Sequence, residues 1–284
     1  MKVLVTGGSG RLGRAILPAL ADHKHEILLA SRRPVEVTEN VKTIIVDFKN
    51  DDELESVFIK EKPDAVLHMA SVVGRDCDMD SKNAYEINVD LTKRLGELAS
   101  EYSVRSFIFI STAAVYSQET LSPTDEYSNI MPLSIYGKTK LEAENEIEMI
   151  SHESNTNYIS LRVFNIYGPN FDQSLINRLA ISTEDTPVSL VGYDRFYRDY
   201  IHVADVAQSI VRCLDLTRVK LGYSVYNIAS GKAVTNKQVI DSLRSQGVEP
   251  HYTIRGDEVS YSWADISNAT NDLDFSPKDT ITIE

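Results

Sequence analysis

The stretch Lys2-Val3-Leu4-Val5-Thr6-Gly7-Gly8-Ser9-Gly10-Arg11-Leu12-Gly13 decides how this chain folds. A short run suited to a buried strand passes straight into a glycine-rich turn, and apolar residues at helical spacing follow from Arg11 to about Ala21. This is the handover from a first parallel strand to its crossover helix. Gly7 permits the tight turn, Gly10 lets the backbone approach a diphosphate, and Gly13 lets the helix pack against the strand. The unpaired N–H groups of the first helical turn then face the anion, so the turn predicts dinucleotide binding.

Outward from this turn the pattern repeats. Short β-branched runs predict strands from Lys2 to Thr6, Glu26 to Ala30, Val41 to Val46, Ala65 to His68, Phe107 to Ser111 and Tyr158 to Arg162. Between them, helices are predicted from Asp51 to Lys60, Asn83 to Glu101 and Ile135 to Ser151. Several strands are nearly continuous apolar runs, as in a parallel sheet covered on both faces. From about Gly168 the apolar segments shorten and Gly-Pro, Asn, Asp and Ser cluster, although a helix from His202 to Leu214 and a strand from Tyr226 to Ala229 return to the first domain. The expected architecture is α/β: a doubly wound parallel sheet of the Rossmann type over residues 1–167, rejoined by 199–229. A smaller C-terminal substrate-binding lobe is expected from 168–198 and 230–284.

Composition narrows the partners. Of 284 residues, 42% are hydrophobic and 25% charged, a balance that excludes disorder and fibres. The formal net charge is -13 and no basic run exceeds Arg32-Arg33, so no nucleic-acid partner is expected. An anionic ligand remains compatible with an acidic chain, because local dipoles and a few Arg govern a closed site. Cys77 and Cys213 lie far apart and lack metal-ligand spacing, which reads as two free thiols and no metal. With neither a signal-peptide core nor an apolar run of membrane length, no membrane partner is expected and the default location is cytoplasmic.

At the end of the second strand, where an NAD site offers a carboxylate to the adenosine ribose, this chain places Ser31, Arg32 and Arg33. A hydroxyl and guanidinium groups suit a 2′-phosphate and favour NADP, with NAD possible; solvated loop charges are the plainer alternative. Asp47 is placed either to meet the adenine amino group or to cap the next helix. Tyr136 and Lys140, four residues apart, share a helix face. A free phenol titrates near pH ~10, and an ammonium and a cationic nicotinamide ring beside it would favour the phenolate. Tyr136 is then a general acid–base group and Lys140 a holder of the nicotinamide ribose, unless the two are merely a surface pair. Thr112, at the C-terminal end of the strand that ends Phe107-Ile-Phe-Ile110-Ser111, is placed to hydrogen-bond a substrate oxygen; alternatively, Ser111 and Thr112 only cap the strand.

With these residues in place, the chain resembles an extended short-chain dehydrogenase/reductase of the NAD-dependent epimerase/dehydratase family. The resemblance rests on TGGSGRLG at 6–13, VLHMA at 66–70, Asn88, STAAVY at 111–116, YGKTK at 136–140, LRVFNIYGP at 161–169, RDYIHVADVA at 198–207 and YNIASG at 226–231. It implies that Arg11, Leu12, Phe48, Met69, Ala70, Ser71 and Asn88 join Gly7, Gly10, Gly13, Ser31, Arg32, Asp47, Tyr136 and Lys140 around the cofactor. It also implies that Asn165 faces the substrate with Thr112, that Arg198 and Arg255 clamp the diphosphate of a nucleotide sugar, and that the chain forms a homodimer through the helices beginning near Asn83 and Ile135.

Within that family, dehydratases carry an acidic pair after the catalytic hydroxyl residue, and members that also epimerise carbons beside the ketone carry a Cys there. This chain has Ala113-Ala114. Hydride chemistry at one carbon, the sugar C4, is what remains. It is expected either as a 4-epimerase that returns the hydride to the other face or as an NADPH-dependent 4-ketoreductase; a non-catalytic NADP-binding sensor is the reading from another class. The epimerase is preferred.

Overall fold

Strand β1 (Lys2–Thr6) sends Val3 and Val5 to one side of the main sheet and Leu4 to the other, and all three are buried. This two-sided burial comes from the parallel neighbours β2 (Glu26–Ser31), β3 (Val41–Ile45), β4 (Ala65–His68), β5 (Ser106–Thr112) and β6 (Asn157–Val163). The chain then makes β7 (Asn165–Tyr167), β8 (Val188–Leu190), β9 (Phe196–Arg198) and β10 (Tyr200–His202) before β11 (Gly222–Ile228) rejoins the main sheet. It closes with β12 (Val234–Thr235), β13 (Tyr252–Ile254) and β14 (Ser260–Ser262). The computed structural model describes residues 1–23, 25–35, 41–117, 122–215, 221–278 and 281–282.

The main sheet runs β3-β2-β1-β4-β5-β6-β11, parallel throughout. Strand order reverses between β1 and β4, and it is outside the carboxyl ends at such a point that open α/β sheets bind ligands. The helices are α1 (Arg11–Asp22), α2 (Asp51–Glu61), α3 (Arg75–Met79), α4 (Ser81–Tyr85), α5 (Leu91–Glu101), α6 (Ile135–Ser151), α7 (Leu175–Ala180), α8 (Val203–Asp215), α9 (Asn236–Ser245) and α10 (Ser267–Leu273). Helices α1 and α8 cover one face, with Ala269, Leu273 and Phe275; α2, α5 and α6 cover the other. The remaining strands form small sheets, β10-β7, β12-β9-β14 and β13-β8, and a separate apolar core gathers α7, α9 and β8.

Two elements differ from expectation for identifiable reasons. The helix expected from Asn83 to Glu101 starts at Ser81 and widens into a π-turn at Glu86–Asp90 between α4 and α5, and Asn88 in that turn spends its side chain on neighbouring segments. The last strand of the sheet starts at Gly222 rather than Tyr226; its first residues are only half-buried, so their polar pattern hides the strand.

Candidate active site

The glycine turn is shaped by close approach. Gly7 has φ 74°, and a Cβ there would lie 2.5 Å from Ala70 N, so only glycine lets the turn sit against the segment leaving β4. A Cβ on Gly13 would lie 2.3 Å from Gly8 Cα. Gly10 caps α1 without a side-chain cap, and the first turn carries no acidic residue. The N–H groups there suit a diphosphate. They open beside a cavity of about 540 Å³ lined by Gly7, Ser9 and Gly10, by residues 30–35, by Phe48, by residues 69–72, and by Asn83 and Ile87. The size, the uncapped helix end and the polar lining fit the adenosine diphosphate part of a dinucleotide.

Ser31, Arg32 and Arg33 line this cavity, with both guanidinium-bearing residues exposed, while Arg33 N donates to Ser31 Oγ at 3.4 Å. Met69, Ala70 and Ser71 form the wall beneath the turn. Phe48 lines the cavity; Asp47 is exposed and accepts Lys49 N at 3.0 Å. Asp47 does not cap α2, the alternative expected for it: Asn50 does, accepting Glu53 N at 3.3 Å. Arg11 is exposed on the first turn, and Leu12 packs on the core. Asn88 stands behind the wall. Its Oδ1 accepts Val72 N at 2.8 Å and the Ser71 hydroxyl at 2.9 Å, and its Nδ2 donates to Val72 O at 3.0 Å and Thr139 Oγ1 at 2.9 Å. One buried amide thus joins the β4 exit to α6.

The chemistry-bearing hydroxyls meet because α6 comes in close. Ser134 caps α6 by accepting Gly137 N at 3.0 Å, and a Cβ on Gly137 would lie 2.4 Å from Ala114 O. Thr112 ends β5, caps the 3-10 turn Ala113–Val115 by accepting Ala114 N at 3.2 Å, and stands close enough to the Tyr136 phenol to favour its ionised form. Desolvation pushes that phenol up to about 12, with the nearby Thr112 hydroxyl pulling the other way. Of the two cations expected to favour the phenolate, Lys140 does not act on Tyr136 in the chain alone. Lys140 is instead turned to β5, donating to Ile110 O at 2.8 Å with its ammonium 4.5 Å from the Phe109 ring centre. Burial lowers Lys140 to about 7, against the opposing pull of Glu144. The chain alone therefore keeps Tyr136 protonated.

Beneath these groups lies a buried polar network that the sequence pattern does not reveal. Ser111 turns inward to donate to Glu144, rather than capping the strand. Glu144 also pairs with Arg162, whose Nη1 donates to Tyr116 Oη at 2.9 Å. The phenol of Tyr116 continues to Asn227 Oδ1 at 2.7 Å. One signal was available: residues 136, 140 and 144 follow one another at four-residue spacing on one helix face. His68, bracketed by Thr6 and Thr92 hydroxyls at 2.6 and 2.9 Å, is held down to about 3 by burial and Lys140.

Asn165, on β7, is exposed and donates its Nδ2 to Asp199 O at 2.7 Å. Arg198, on β9, is half-buried, stacks 3.8 Å from the centre of the Phe196 ring and donates to Tyr197 O and Ser260 Oγ at 2.7 and 3.0 Å. Its guanidinium is thereby fixed in direction. Arg255 follows β13 as an exposed residue tied by its amide to Leu190 O at 2.7 Å. Among the described residues no group of His, Cys, Asp and Glu could hold a metal ion, and no helix is long and apolar enough to cross a membrane.

Known proteins resemble this chain along most of its length. The UDP-glucose 4-epimerase of Bacillus subtilis is 27% identical over 93% of this chain and 85% of its own length. The UDP-glucuronate 4-epimerase of Thermodesulfobacterium geofontis is 26% identical over 86% of this chain and 77% of its own. Among solved structures, UDP-glucuronic acid 4-epimerase from Bacillus cereus, in complex with UDP-glucuronic acid and NAD, superposes with a TM-score of 0.84 at 25% identity, covering 98% of this chain and 94% of that one. The family model described as NAD dependent epimerase/dehydratase matches residues 3–229. This chain belongs to the NAD dependent epimerase/dehydratase family.

Proposed function

We propose that this protein is a nucleotide-sugar 4-epimerase, acting by transient hydride transfer at the sugar C4 with a bound nicotinamide dinucleotide. The observation that carries the reading is the juxtaposition of Thr112, at the carboxyl end of β5, with Tyr136, brought there by the close approach of Gly137 to Ala114 O; Ala113-Ala114 supply no acid for eliminating water. The dinucleotide is held by the glycine turn, the α1 N-terminus and the wall of residues 69–71, with Lys140 at its ribose, and supplies the hydride acceptor and donor. Tyr136, protonated in the chain alone, would be ionised when a cationic nicotinamide ring lies beside it, and as the phenolate it takes the proton of the C4 hydroxyl and later returns it, with Thr112 hydrogen-bonded to the same oxygen. Arg198 and Arg255 neutralise the diphosphate, so remote binding energy positions the sugar. Residues 168–198 and 230–284 form the lobe that receives it. The relatives bound to NAD support the cofactor class; Arg32 and Arg33, with no carboxylate among the described residues that line the cavity, favour NADP. The protein acts as a homodimer through the paired helices α5 and α6, and a monomeric mass in light scattering would refute that.

A second reading, an NADPH-dependent 4-ketoreductase, is favoured by the same two Arg residues. Retention of both Tyr136 and Lys140 weighs against a non-catalytic sensor. Identifying the dinucleotide released on denaturing the purified protein separates these. Tightly bound cofactor together with interconversion of UDP-glucose and UDP-galactose supports the epimerase. An empty site with strong NADPH preference supports the reductase, and no binding of either dinucleotide overturns both.

A further inference from the structure

Asp199 joins β9 to β10 and is fully buried. Its Oδ1 accepts Ser230 N at 2.8 Å and Ser230 Oγ at 2.6 Å; its Oδ2 accepts Gly231 N at 3.0 Å and Ala264 N at 3.2 Å. Its backbone is equally engaged. The amide donates to Ser262 O at 2.9 Å, and the carbonyl accepts both Asn165 N at 3.2 Å and Asn165 Nδ2 at 2.7 Å. One residue therefore gathers the segment leaving β11, the segment leaving β14 and strand β7.

Its chain neighbour is Arg198, so the residue assigned to the sugar and the residue assigned to the diphosphate hang from the two sides of one pinned residue. Among the described residues no ion pair reaches this carboxylate, and burial outweighs its four donors, pushing it up to about 6. Because that value lies above the ordinary 3.8, the native state holds the proton more tightly, and stability falls as pH rises from 3.8 to 6. At neutral pH the ionised side chain is kept at a cost to the fold. Such a cost is common where geometry serves a ligand.

We propose that Asp199 is a positioning residue for the substrate: it sets the separation of Asn165 from Arg198, and so whether a nucleotide sugar anchored by its diphosphate presents C4 to Tyr136. The proposal rests on the nucleotide-sugar reading above. Asp199→Asn keeps the shape but turns an NH2 group toward N–H donors. The KM for UDP-glucose should rise by about tenfold or more while kcat stays within about threefold and the bound dinucleotide is unchanged. Ser230→Ala, which leaves Ser230 N on Oδ1, should raise KM by roughly threefold and carries the test if Asp199→Asn does not fold. An unchanged KM overturns the proposal, as does a KM rise accompanied by matching losses of kcat and dinucleotide, which marks a purely structural role. Wild-type protein that binds neither UDP nor UDP-glucose in calorimetry overturns the substrate reading and the proposal with it; wild type that binds both, with unaffected variants, overturns the proposal alone.

Discussion

Glu144 and Arg162 form an ion pair at 2.6 Å that the protein encloses almost completely, with side chains 2% and 5% exposed. The carboxylate meets Arg162 Nε through both oxygens at 3.1 Å and also accepts the Ser111 hydroxyl, so the helix carrying Tyr136 is bolted to β5 and β6 just below the reacting groups. Removing one partner leaves a buried charge uncompensated. Glu144→Ala should destabilise the protein by about 3–5 kcal/mol in urea unfolding, and replacing both residues with Met should recover part of that. A loss below roughly 1 kcal/mol for the single variant would contradict a closed pair.

Tyr136→Phe removes the proposed proton carrier without removing bulk. Turnover should drop by about 10²–10⁴-fold, with dinucleotide retention unchanged. Turnover within a few fold of wild type would assign the proton to another group.

Gly137→Ala tests whether the approach of α6 to the 3-10 turn creates the site. The new Cβ would press on Ala114 O from 2.4 Å, and that contact is backbone, so the helix must shift away from Thr112. A displacement near 1 Å at reacting groups costs on the order of 10²-fold in rate. The expected outcome is a loss of that size in kcat with the dinucleotide still bound; an unaffected kcat would show that the approach is slack.

Arg32 and Arg33 bear on the cofactor. Charge-assisted hydrogen bonds contribute about 1.5–3 kcal/mol each, so Arg32→Ala should weaken NADP binding by roughly tenfold or more while leaving NAD within about twofold. Equal effects on the two dinucleotides would reduce these residues to loop charges. Fluorescence titration with each reduced dinucleotide reads the difference.

His68 predicts an acid-sensitive fold. Its folded value near 3 lies below the ordinary 6.5, so the unfolded chain binds more protons in between. Its stabilisation is present above pH 6.5 and is lost as pH falls toward 3, by up to ~1.4 kcal/mol per pH unit. Asp199 acts in the opposite sense between 3.8 and 6, so the readout is the stability of wild type minus that of His68→Gln. That difference should shrink from pH 7 to pH 4; a constant difference would mean that His68 is not held neutral.

Much of the scaffold can be read along the chain. Most of the strands from Lys2 to Arg162 are recognisable because burial on both faces writes itself as nearly unbroken apolar runs, the edge strand β3 being the exception, and the glycine turn because its backbone admits few side chains. The residues that could not be read are those whose meaning lies in a partner far away. Glu144 and Arg162 are eighteen positions apart, Tyr116 and Asn227 more than a hundred. Nothing in local spacing reports that such groups face one another.

The succession of strands and helices along the chain, the glycine turn, and the choice of Thr112, Tyr136 and Lys140 as candidates follow from the chain's own pattern, because each depends on neighbours within a turn or two. Folding in three dimensions decided the rest. It turned Lys140 toward Ile110 O rather than the Tyr136 phenol and raised that phenol through desolvation. It also made Asp199 the meeting point of three segments separated by tens of residues. Burial and long-range hydrogen bonding are properties of the packed molecule, and they set the direction and charge of groups whose presence the sequence already announced.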